Sequence, residues 1–535
     1  MEFHMGGVRY PVMRNPVYGR RGMVSASQPL AAQAGISILK RGGNAVDAAI
    51  AAAACLVVTE PTSNGIGGDC FVQVWRNGRL YALNASGPAP ALLSADVVRE
   101  QGFDKMPERG WLPVTVPGVP AAWAELNERF GRLSLREDFD PAINCARRGF
   151  PVESVTAACW REAGEKMAPY ADREEFKEWF RVFTKNGRTP EAGEIWGSED
   201  IANTLESIAE SRGLSFYHWT LADKIDAFSQ KTGGLLRKKD LESYRPHWVD
   251  PVCVSYRGYD VWELPPNGQG LVALMALGML EQTTPVGHDD VRTIHQQIEA
   301  LKLAFADGQR YIADPDYAEI PVEEMVSETY LKQRASLIGD RAVVPAYGNP
   351  YSGGTVHLCA ADEEGTMVSL IQSNYEDFGS GIVVPGTGIN LQDRGCNFSL
   401  DQSCPNYLAP GKRPYHTIIP GFLTKDEQAV GAFGVTGAFM QAQGHVQALM
   451  NMIDFHMNPQ EALNAPRWQW KNDLRVEVEA GFDEDVVKAL RQLGHIVEVA
   501  PVGASMGRGQ IIIRNDNGVY VGGCEPRADG CVAVW

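Results

Sequence analysis

The chain has 535 residues, of which 44% are apolar, and a formal net charge of −17 at pH 7. This length and composition provide a large buried core and exceed the usual size of a single domain. The acidic balance disfavours nucleic acid and anionic membranes as partners. The 55 glycines and 32 prolines are typical of a turn-rich protein of mixed helices and strands rather than a helical bundle.

The cysteines and the apolar runs bear on cellular location. The N-terminal segment MEFHMGGVRYPVMRNPVYGRRGMV lacks the apolar stretch of a secretory signal, and the longest apolar run, residues 48–58, is too short to span a bilayer. Ten cysteines are scattered without a C-x-x-C pair. We therefore expect reduced, mostly buried thiols, a cytoplasmic protein and no membrane contact.

The first predicted elements are a short strand at residues 23–25 and an Ala-rich helix at 30–40, which ends at a pair of glycines. A second, very apolar helix follows from Asn44 or Asp47 to about residue 58. The glycine turn NGIGGD then leads to the strands CFVQVW and RLYALNAS, which we expect to form a hairpin.

Helical patterns and charge dominate the middle of the chain, at about residues 120–250. VRTIHQQIEALKLAFADGQRYI has its apolar residues on one helical face. The polar loop VPAYGNPYSGG then runs into the strand TVHLCAAD, and EEG turns the chain into the partner strand TMVSLIQSN. Helices near 442–456 and 483–493 interrupt six further strands, GFLTKD, AVGAFGV, RVEVEAG, IVEVAP, GQIIIR and VYVGG, so antiparallel strands dominate the second half.

Thr355 opens the strand TVHLCAAD directly after Gly353 and Gly354. A hydroxyl is a weak nucleophile at neutral pH unless a base accepts its proton. If the chain were cut before Thr355, the new α-amine on the same residue would supply that base. The two glycines allow the backbone to bend so that the hydroxyl can reach the Gly354 carbonyl. The pattern therefore predicts a self-cleaving N-terminal nucleophile.

The sequence around Thr355 resembles the start of the small subunit in the γ-glutamyltransferase family. Within that family it is more similar to the cephalosporin-acylase-like branch. RGGNAVDAAIA, EPTSNGIGGD, VTVPGVPAAW, LPPNGQG, LAFADGQRYIADPD, APGKRPYHTIIP and NAPRWQW extend the resemblance, in family order, over about residues 20–535. The resemblance implies an α+β fold, an αββα sandwich of two stacked, mainly antiparallel sheets between helical layers.

The same resemblance implies a proenzyme that cuts itself between Gly354 and Thr355. Residues 1–354 would form the large-subunit region and residues 355–535 the small catalytic region of one composite domain. The two fragments, roughly 39 and 20 kDa by residue share, would stay associated.

The resemblance also implies the catalytic residues. Thr355 matches the family nucleophile, and Ser373 matches a hydroxyl that hydrogen-bonds the terminal threonine. His357, which points the same way as Thr355 on a strand, matches a family histidine with a packing or tuning role. Gly437 and Ala438 match the glycine pair whose N–H groups stabilise the oxyanion, with the second glycine replaced here.

Substrate recognition departs most from the transpeptidases of the family. Ser86 stands where they carry an arginine that holds the substrate α-carboxylate, and a hydroxyl cannot replace a bidentate guanidinium. Arg394 and Asn397 stand where they carry a glutamine and an aspartate near the substrate amine. An arginine there would repel an ammonium and attract a carboxylate.

The rest of this pocket also differs from those transpeptidases. Tyr375 replaces an asparagine, and His416 and Thr417 replace paired serines. The loop between Ser399 and Pro410 is short, so the lid over the glutamyl site of many relatives is predicted to be truncated.

These features favour an amidohydrolase or acyltransferase acting on a small-molecule amide, with a γ-glutamyl or a glutaryl-like acyl group. The alternatives are a true γ-glutamyl transpeptidase or glutathione hydrolase, with Arg394 or Arg413 binding the carboxylate, and a catalytically silent member used for binding. We expect no cofactor and no metal, because the histidines show no metal-ligand spacing and the glycine loops lack phosphate-binding signatures. A homodimer is one option for the oligomeric state.

Overall fold

A computed structural model describes residues 14–345, 354–501 and 506–535. Most of the predicted cleavage loop, residues 346–353, lies outside the described residues. No helix in the described ranges combines the length and the apolar character that crossing a membrane requires. All ten cysteines are free thiols, four of them buried and six partly buried.

The strands are β1 (Val17–Gly19), β2 (Gly22–Ala26), β3 (Asp69–Arg76), β4 (Arg79–Ala85), β5 (Phe150–Pro151), β6 (Ile195–Trp196), β7 (His247–Val249), β8 (Val252–Tyr256), β9 (Tyr259–Glu263), β10 (Gly354–Asp362), β11 (Met367–Tyr375), β12 (Val383–Val384), β13 (Ile389–Asn390), β14 (Gly421–Lys425), β15 (Gln428–Val435), β16 (Trp468–Asn472), β17 (Arg475–Glu479), β18 (Ile496–Ala500), β19 (Gly509–Arg514), β20 (Tyr520–Cys524) and β21 (Cys531–Val534).

The α-helices are α1 (Pro29–Lys40), α2 (Ala45–Thr59), α3 (Ala95–Glu100), α4 (Val119–Phe130), α5 (Leu135–Arg148), α6 (Ser154–Met167), α7 (Lys177–Phe183), α8 (Glu199–Ser211), α9 (Leu214–Tyr217), α10 (Thr220–Lys231), α11 (Lys238–Ser243), α12 (Gly270–Leu280), α13 (Val291–Tyr311), α14 (Val322–Met325), α15 (Glu328–Ala335), α16 (Met440–Ile453), α17 (Pro459–Asn464) and α18 (Glu484–Gln492).

Two seven-stranded sheets form the centre of the molecule, in the orders β1-β20-β19-β15-β14-β9-β8 and β21-β2-β10-β11-β3-β4-β7. Every strand pair within them is antiparallel. The sheets stack face to face, because β10 and β11 contact β15, and apolar side chains fill the layer between them. This stacking leaves only the outer face of each sheet for helices.

Helices cover both outer faces. The first helices, α1 and α2, pack on the sheet that contains β10, and α12 and α16 pack on the other sheet. Every residue of α2 is buried, as its continuous apolar sequence predicts. A capping box between Asn44 and Asp47 fixes its start. The predicted helix–sheet–sheet–helix sandwich is therefore confirmed.

The sheet order explains how the predicted fragments would interlock. β10 lies between β2, which precedes residue 354, and β11, which follows it. In the other sheet, β14, which follows the predicted cleavage point, pairs with β9, which precedes it. Each sheet therefore contains strands from both sides of the predicted cleavage point.

Candidate active site

Thr355 lies at the start of β10, where the pairing with β11 shifts register. Gly354 pairs with Tyr375, whereas Val356 pairs with Gln372, so Thr355 occupies a β-bulge. A bulge re-aims a side chain at the edge of a ladder. Thr355 as a whole residue is 4% exposed, and its hydroxyl donates to Ser373 Oγ at 3.2 Å.

His357, two residues after Thr355 on β10, points to the same face of the sheet as Thr355, as predicted. Its Nε2 lies 2.9 Å from Ser369 Oγ, and Ser369 is four residues from Ser373 on one strand face. Burial lowers the pKa of His357 well below its usual value, and the nearby His445 adds to this effect. A neutral, buried ring fits a packing role.

Ser373 connects the nucleophile to the pocket. Its Oγ accepts hydrogen bonds from the Tyr375 N–H at 2.8 Å and from Arg394 Nη2 at 3.2 Å. Because Thr355 donates to the same oxygen, three predicted site residues meet at one hydroxyl.

Gln441 contacts Thr355 from α16, the helix that packs on β15, and was not predicted as a site residue. Its Nε2 lies 3.5 Å from Thr355 Oγ1, and its Oε1 accepts the Ile419 N–H at 3.0 Å. Gln441 lies in the first turn of α16, directly after the predicted oxyanion pair. It closes the run FGVTGAFMQ, in which the resemblance predicts only the oxyanion pair Gly437 and Ala438.

Gly437 and Ala438 form the turn between β15 and α16. Their φ angles are +111° and +50°, and Gly437 approaches Gly507 so closely that an added Cβ would lie 3.1 Å from the Gly507 Cα. Among the described residues, neither the Gly437 N–H nor the Ala438 N–H donates to another protein atom. Two N–H groups of this kind in one turn have the chemistry of the donors that an oxyanion requires.

Arg394 is fully buried rather than solvated. Nη1 donates to Thr417 Oγ1 at 2.7 Å, and the guanidinium lies 4.2 Å from the centroid of the Tyr375 ring. Within the described residues, Nε has no hydrogen-bond partner. Burial lowers the pKa of Arg394, because removing a cation from water is costly unless an anion compensates it.

Burial raises the pKa of two carboxyl groups near Arg394. Burial raises the pKa of Asp69 to about 7, against a hydrogen bond from Gln392 and the positive charge of Arg394. Burial likewise raises the pKa of Asp393 to about 7, against the charges of Arg109 and Arg394. Neither aspartate was predicted as a site residue.

Asp69 also forms a hydrogen bond with the ring of His416. The Ile418 N–H donates to His416 Nδ1 at 3.3 Å, so the neutral ring carries its proton on Nε2. His416 Nε2 lies 3.1 Å from Asp69 Oδ2 and is the donor there. Burial lowers the pKa of His416 well below its usual value, and the charge of Arg394 adds to this effect.

A cavity of about 990 Å³ opens beside these residues and is lined by Tyr375, Asn397 and Tyr415 among others. The Tyr375 side chain is buried, and its hydroxyl has no partner among the described residues. Asn397 Nδ2 donates to the Tyr415 carbonyl at 3.3 Å. The predicted short loop also contributes to the lining of this cavity, through Ser399, Leu400, Asp401, Cys404 and Asn406.

Ser86 belongs to a buried amide network rather than to the cavity wall. Its hydroxyl donates to Asn84 Oδ1 at 2.7 Å and lies 3.2 Å from the Asn267 side chain. Its neighbour Gly87 donates an N–H to Asp69 at 3.2 Å. Ser86 is therefore connected to the site indirectly, through Gly87 and through Asn267, whose backbone carbonyl accepts the His416 N–H at 2.9 Å.

The described residues include one group with metal-ligand chemistry, His295, Glu299 and His495. His295 Nδ1 lies 2.8 Å from His495 Nε2, and Lys302 Nζ lies 2.7 Å from Glu299 Oε1. The buried ammonium of Lys302 thus neutralises the carboxylate that a metal would need.

The chain matches the family described as Gamma-glutamyltranspeptidase over residues 31–535. It is 36% identical to the Glutathione hydrolase-like YwrD proenzyme of Bacillus subtilis, over 97% of this chain and 99% of the relative. It is 33% identical to the Oxamate amidohydrolase proenzyme of Klebsiella pneumoniae, over 96% and 98%. Its structure is similar to that of cephalosporin acylase from Bacillus halodurans, with a TM-score of 0.97 and 52% identity over 100% of this chain and 99% of that one.

Proposed function

Because the chain belongs to the gamma-glutamyltranspeptidase family, and so to the N-terminal nucleophile hydrolases and acyltransferases, we propose that it cuts itself before Thr355 and then hydrolyses amides whose acyl part carries a carboxylate. The proenzyme names of its relatives fit self-processing. The observation that carries the substrate class is the buried Arg394, which no acidic side chain pairs within hydrogen-bonding distance in the described part of the chain.

In the proposed processing step, the Thr355 hydroxyl attacks the Gly354 carbonyl and the peptide nitrogen takes up a proton. The bond between Gly354 and Thr355 is replaced by an ester, which water then hydrolyses. The products are a carboxylate on Gly354 and a free α-amine on Thr355. That amine serves as the base for the next reaction.

In the proposed catalytic cycle, Thr355 Oγ1 attacks the amide carbonyl while the α-amine accepts its proton. The Gly437 and Ala438 N–H groups stabilise the oxyanion. The amine product leaves with the proton, and an acyl ester remains on Thr355. Water attacks this ester and releases the acid.

Arg394 supports a glutaryl-like acyl group over an α-amino-γ-glutamyl group. A substrate carboxylate would supply a partner for Nε, which has none among the residues that the structure describes, and would compensate the buried charge. A substrate ammonium at the same place would meet the guanidinium instead. Asn397, which is neutral, adds no carboxylate to attract an ammonium.

The test compares wild type with Thr355→Ala on a denaturing gel and in assays with glutaryl, γ-glutamyl and butyryl anilides. We expect wild type to give two fragments of roughly 39 and 20 kDa and to prefer the glutaryl substrate. Thr355→Ala should stay a single chain without turnover. Thr424→Ala, which removes a buried strand hydroxyl bonded to Trp262, is the matched control and should be processed normally.

Brisk turnover of γ-glutamyl anilide with no turnover of glutaryl anilide would reject the proposed substrate class. An uncleaved wild-type chain that turns over no substrate would favour the silent, binding member instead.

A further inference from the structure

The buried side chain of Gln269 links two parts of the site. One is Thr417, which bonds Arg394, and the other is the turn of Gly437 and Ala438, called here the oxyanion turn. The Gln269 Nε2 donates to the Thr417 carbonyl at 2.8 Å and to the Ala438 carbonyl at 2.9 Å. Both neighbours are acceptors, so the amide nitrogen must face them and both of its hydrogens are used. Its Oε1 accepts a hydrogen bond from the Tyr415 hydroxyl at 3.4 Å. The three hydrogen bonds together fix the orientation of the amide group.

On one side, Gln269 holds the turn that contains Ala438. A left-handed backbone costs a non-glycine residue about 1–2 kcal/mol, and Ala438 has a φ of +50°. The Ala438 carbonyl accepts from Gln269 and from the Gln441 N–H at 3.1 Å. These bonds restrict the rotation that would otherwise relax the turn and redirect its N–H groups.

On the other side, Gln269 holds the segment that positions Arg394. Thr417 Oγ1 accepts the hydrogen bond from Arg394 Nη1, and the Thr417 carbonyl accepts from Gln269. The Gln269 backbone N–H also donates to the His416 carbonyl at 2.9 Å. The backbone of the residue whose hydroxyl bonds the guanidinium is thus held by the same side chain as the oxyanion turn.

We propose that Gln269 is a positioning residue that sets the distance between the bound acyl carboxylate and the oxyanion turn, and thereby selects the length of the acyl chain. This inference rests on the proposed function. With the carboxylate at Arg394, only a chain of matching length puts its amide carbonyl at Thr355 and the Gly437–Ala438 turn. Loss of the Gln269 link lets the two sites shift relative to each other.

The experiment measures kcat and KM of processed wild type, Gln269→Leu and Gln447→Leu with succinyl, glutaryl, adipyl and butyryl anilides. Gln447 is the matched control, since its buried Nε2 also donates to two carbonyls, those of Gln443 and Trp468, at 3.2 and 2.9 Å. We expect Gln269→Leu to lower kcat about tenfold, because small displacements of catalytic groups have effects of this order or larger, and to flatten the preference among the three dicarboxylic acyl chains. Gln447→Leu should lower the melting temperature but leave kcat and the preference unchanged.

A second variant, Gln269→Glu, covers the case in which Gln269→Leu is not processed. An ionised glutamate repels both carbonyl oxygens, whereas the protonated acid can donate to one of them. Its kcat should therefore approach that of wild type as the pH falls. A pH-independent ratio of the two kcat values would contradict the inference.

The two proposals fail in different ways. If wild type hydrolyses none of the dicarboxylic amides, the proposed function is rejected, and the inference falls with it. If wild type hydrolyses them with a clear length preference and Gln269→Leu keeps that preference with kcat within twofold, the inference alone is rejected.

Discussion

At the scale of single residues, the site is defined by Arg394, a buried cation that forms no ion pair with an acidic side chain of the described ranges. Arg394 is 0% exposed, and its direct hydrogen-bond acceptors are the hydroxyls of Thr417 and Ser373. Burying a charge in this way is unfavourable unless a ligand completes the site. The nearby Asp69 does not fully compensate it, because burial raises its pKa to about 7.

Replacing Arg394 should change the preference between substrates more than it changes catalytic activity in general. We expect Arg394→Gln to lower kcat/KM for glutaryl anilide by about 10–100-fold, the value of a charge-assisted hydrogen bond, and to change butyryl anilide little. Arg394→Lys should recover only part of the loss, because an ammonium cannot bond two hydroxyls in the fork geometry of a guanidinium. Steady-state kinetics with both substrates measure this.

The exposed Arg188, which pairs with Glu194, supplies the control Arg188→Gln. An equal loss on both substrates in Arg394→Gln would mean that the guanidinium has only a structural role.

At the scale of secondary-structure elements, the hairpin and the turn before α16 have different origins. The hairpin of β10 and β11 follows from two strand segments on either side of the turn EEG, and it forms as predicted. The turn at Gly437 and Ala438 requires positive φ at both positions. Alanine at the second position keeps its N–H but adds backbone strain.

Glycine at position 438 should therefore be tolerated unusually well for a buried site. We expect Ala438→Gly to leave the free energy of unfolding within about 0.5 kcal/mol of wild type, since relief of strain offsets the lost methyl burial. Ala442→Gly, two residues into α16 and also fully buried, should lose about 1–2 kcal/mol. Denaturant unfolding of both variants measures the difference, and an equal loss in both would show that the turn stores no strain.

At the scale of the whole molecule, contacts across the predicted cleavage point hold the two parts together. The segment before the cleavage loop is bound by the later part of the chain, because the Ala342 N–H donates to the Leu493 carbonyl at 2.9 Å. His295 joins the same region, with Nε2 2.9 Å from the Gly339 carbonyl and Nδ1 2.8 Å from His495 Nε2. We expect the processed fragments to elute together from a native sizing column.

This contact region should also make the fold sensitive to acid. Burial lowers the pKa of His495 to about 3, and the charges of Lys302 and His295 add to this effect; Glu299, which bonds Lys302, faces the same cluster. Between about pH 6.5 and pH 3 the unfolded chain binds a proton at this residue and the folded chain does not. Stability therefore falls as the pH falls through this window.

The test is the free energy of unfolding of wild type and His495→Gln from pH 7 to pH 4. The variant should lose stability less steeply below about pH 6, by up to about 1.4 kcal/mol per pH unit. Exposed His456 supplies the control His456→Gln, which should follow wild type. Identical slopes for wild type and His495→Gln would contradict a neutral buried His495.

The cytoplasmic location and the homodimer stay predictions. The function class, in contrast, follows from the match over residues 31–535 and from relatives that share nearly the whole chain.

The sequence by itself determined the nucleophile candidate, the hairpin that presents it and the layered fold, because these depend on local periodicity, turn residues and family motifs. Only the tertiary structure decided that Arg394 is buried beside Ser373 and that Asp69, Gln441 and Gln269 belong to the site. These residues act through contacts with groups far away in the chain, often backbone carbonyls. Every residue type carries a backbone carbonyl, so a hydrogen bond to a carbonyl does not restrict which residue is its partner. Sequence patterns therefore do not reveal such bonds.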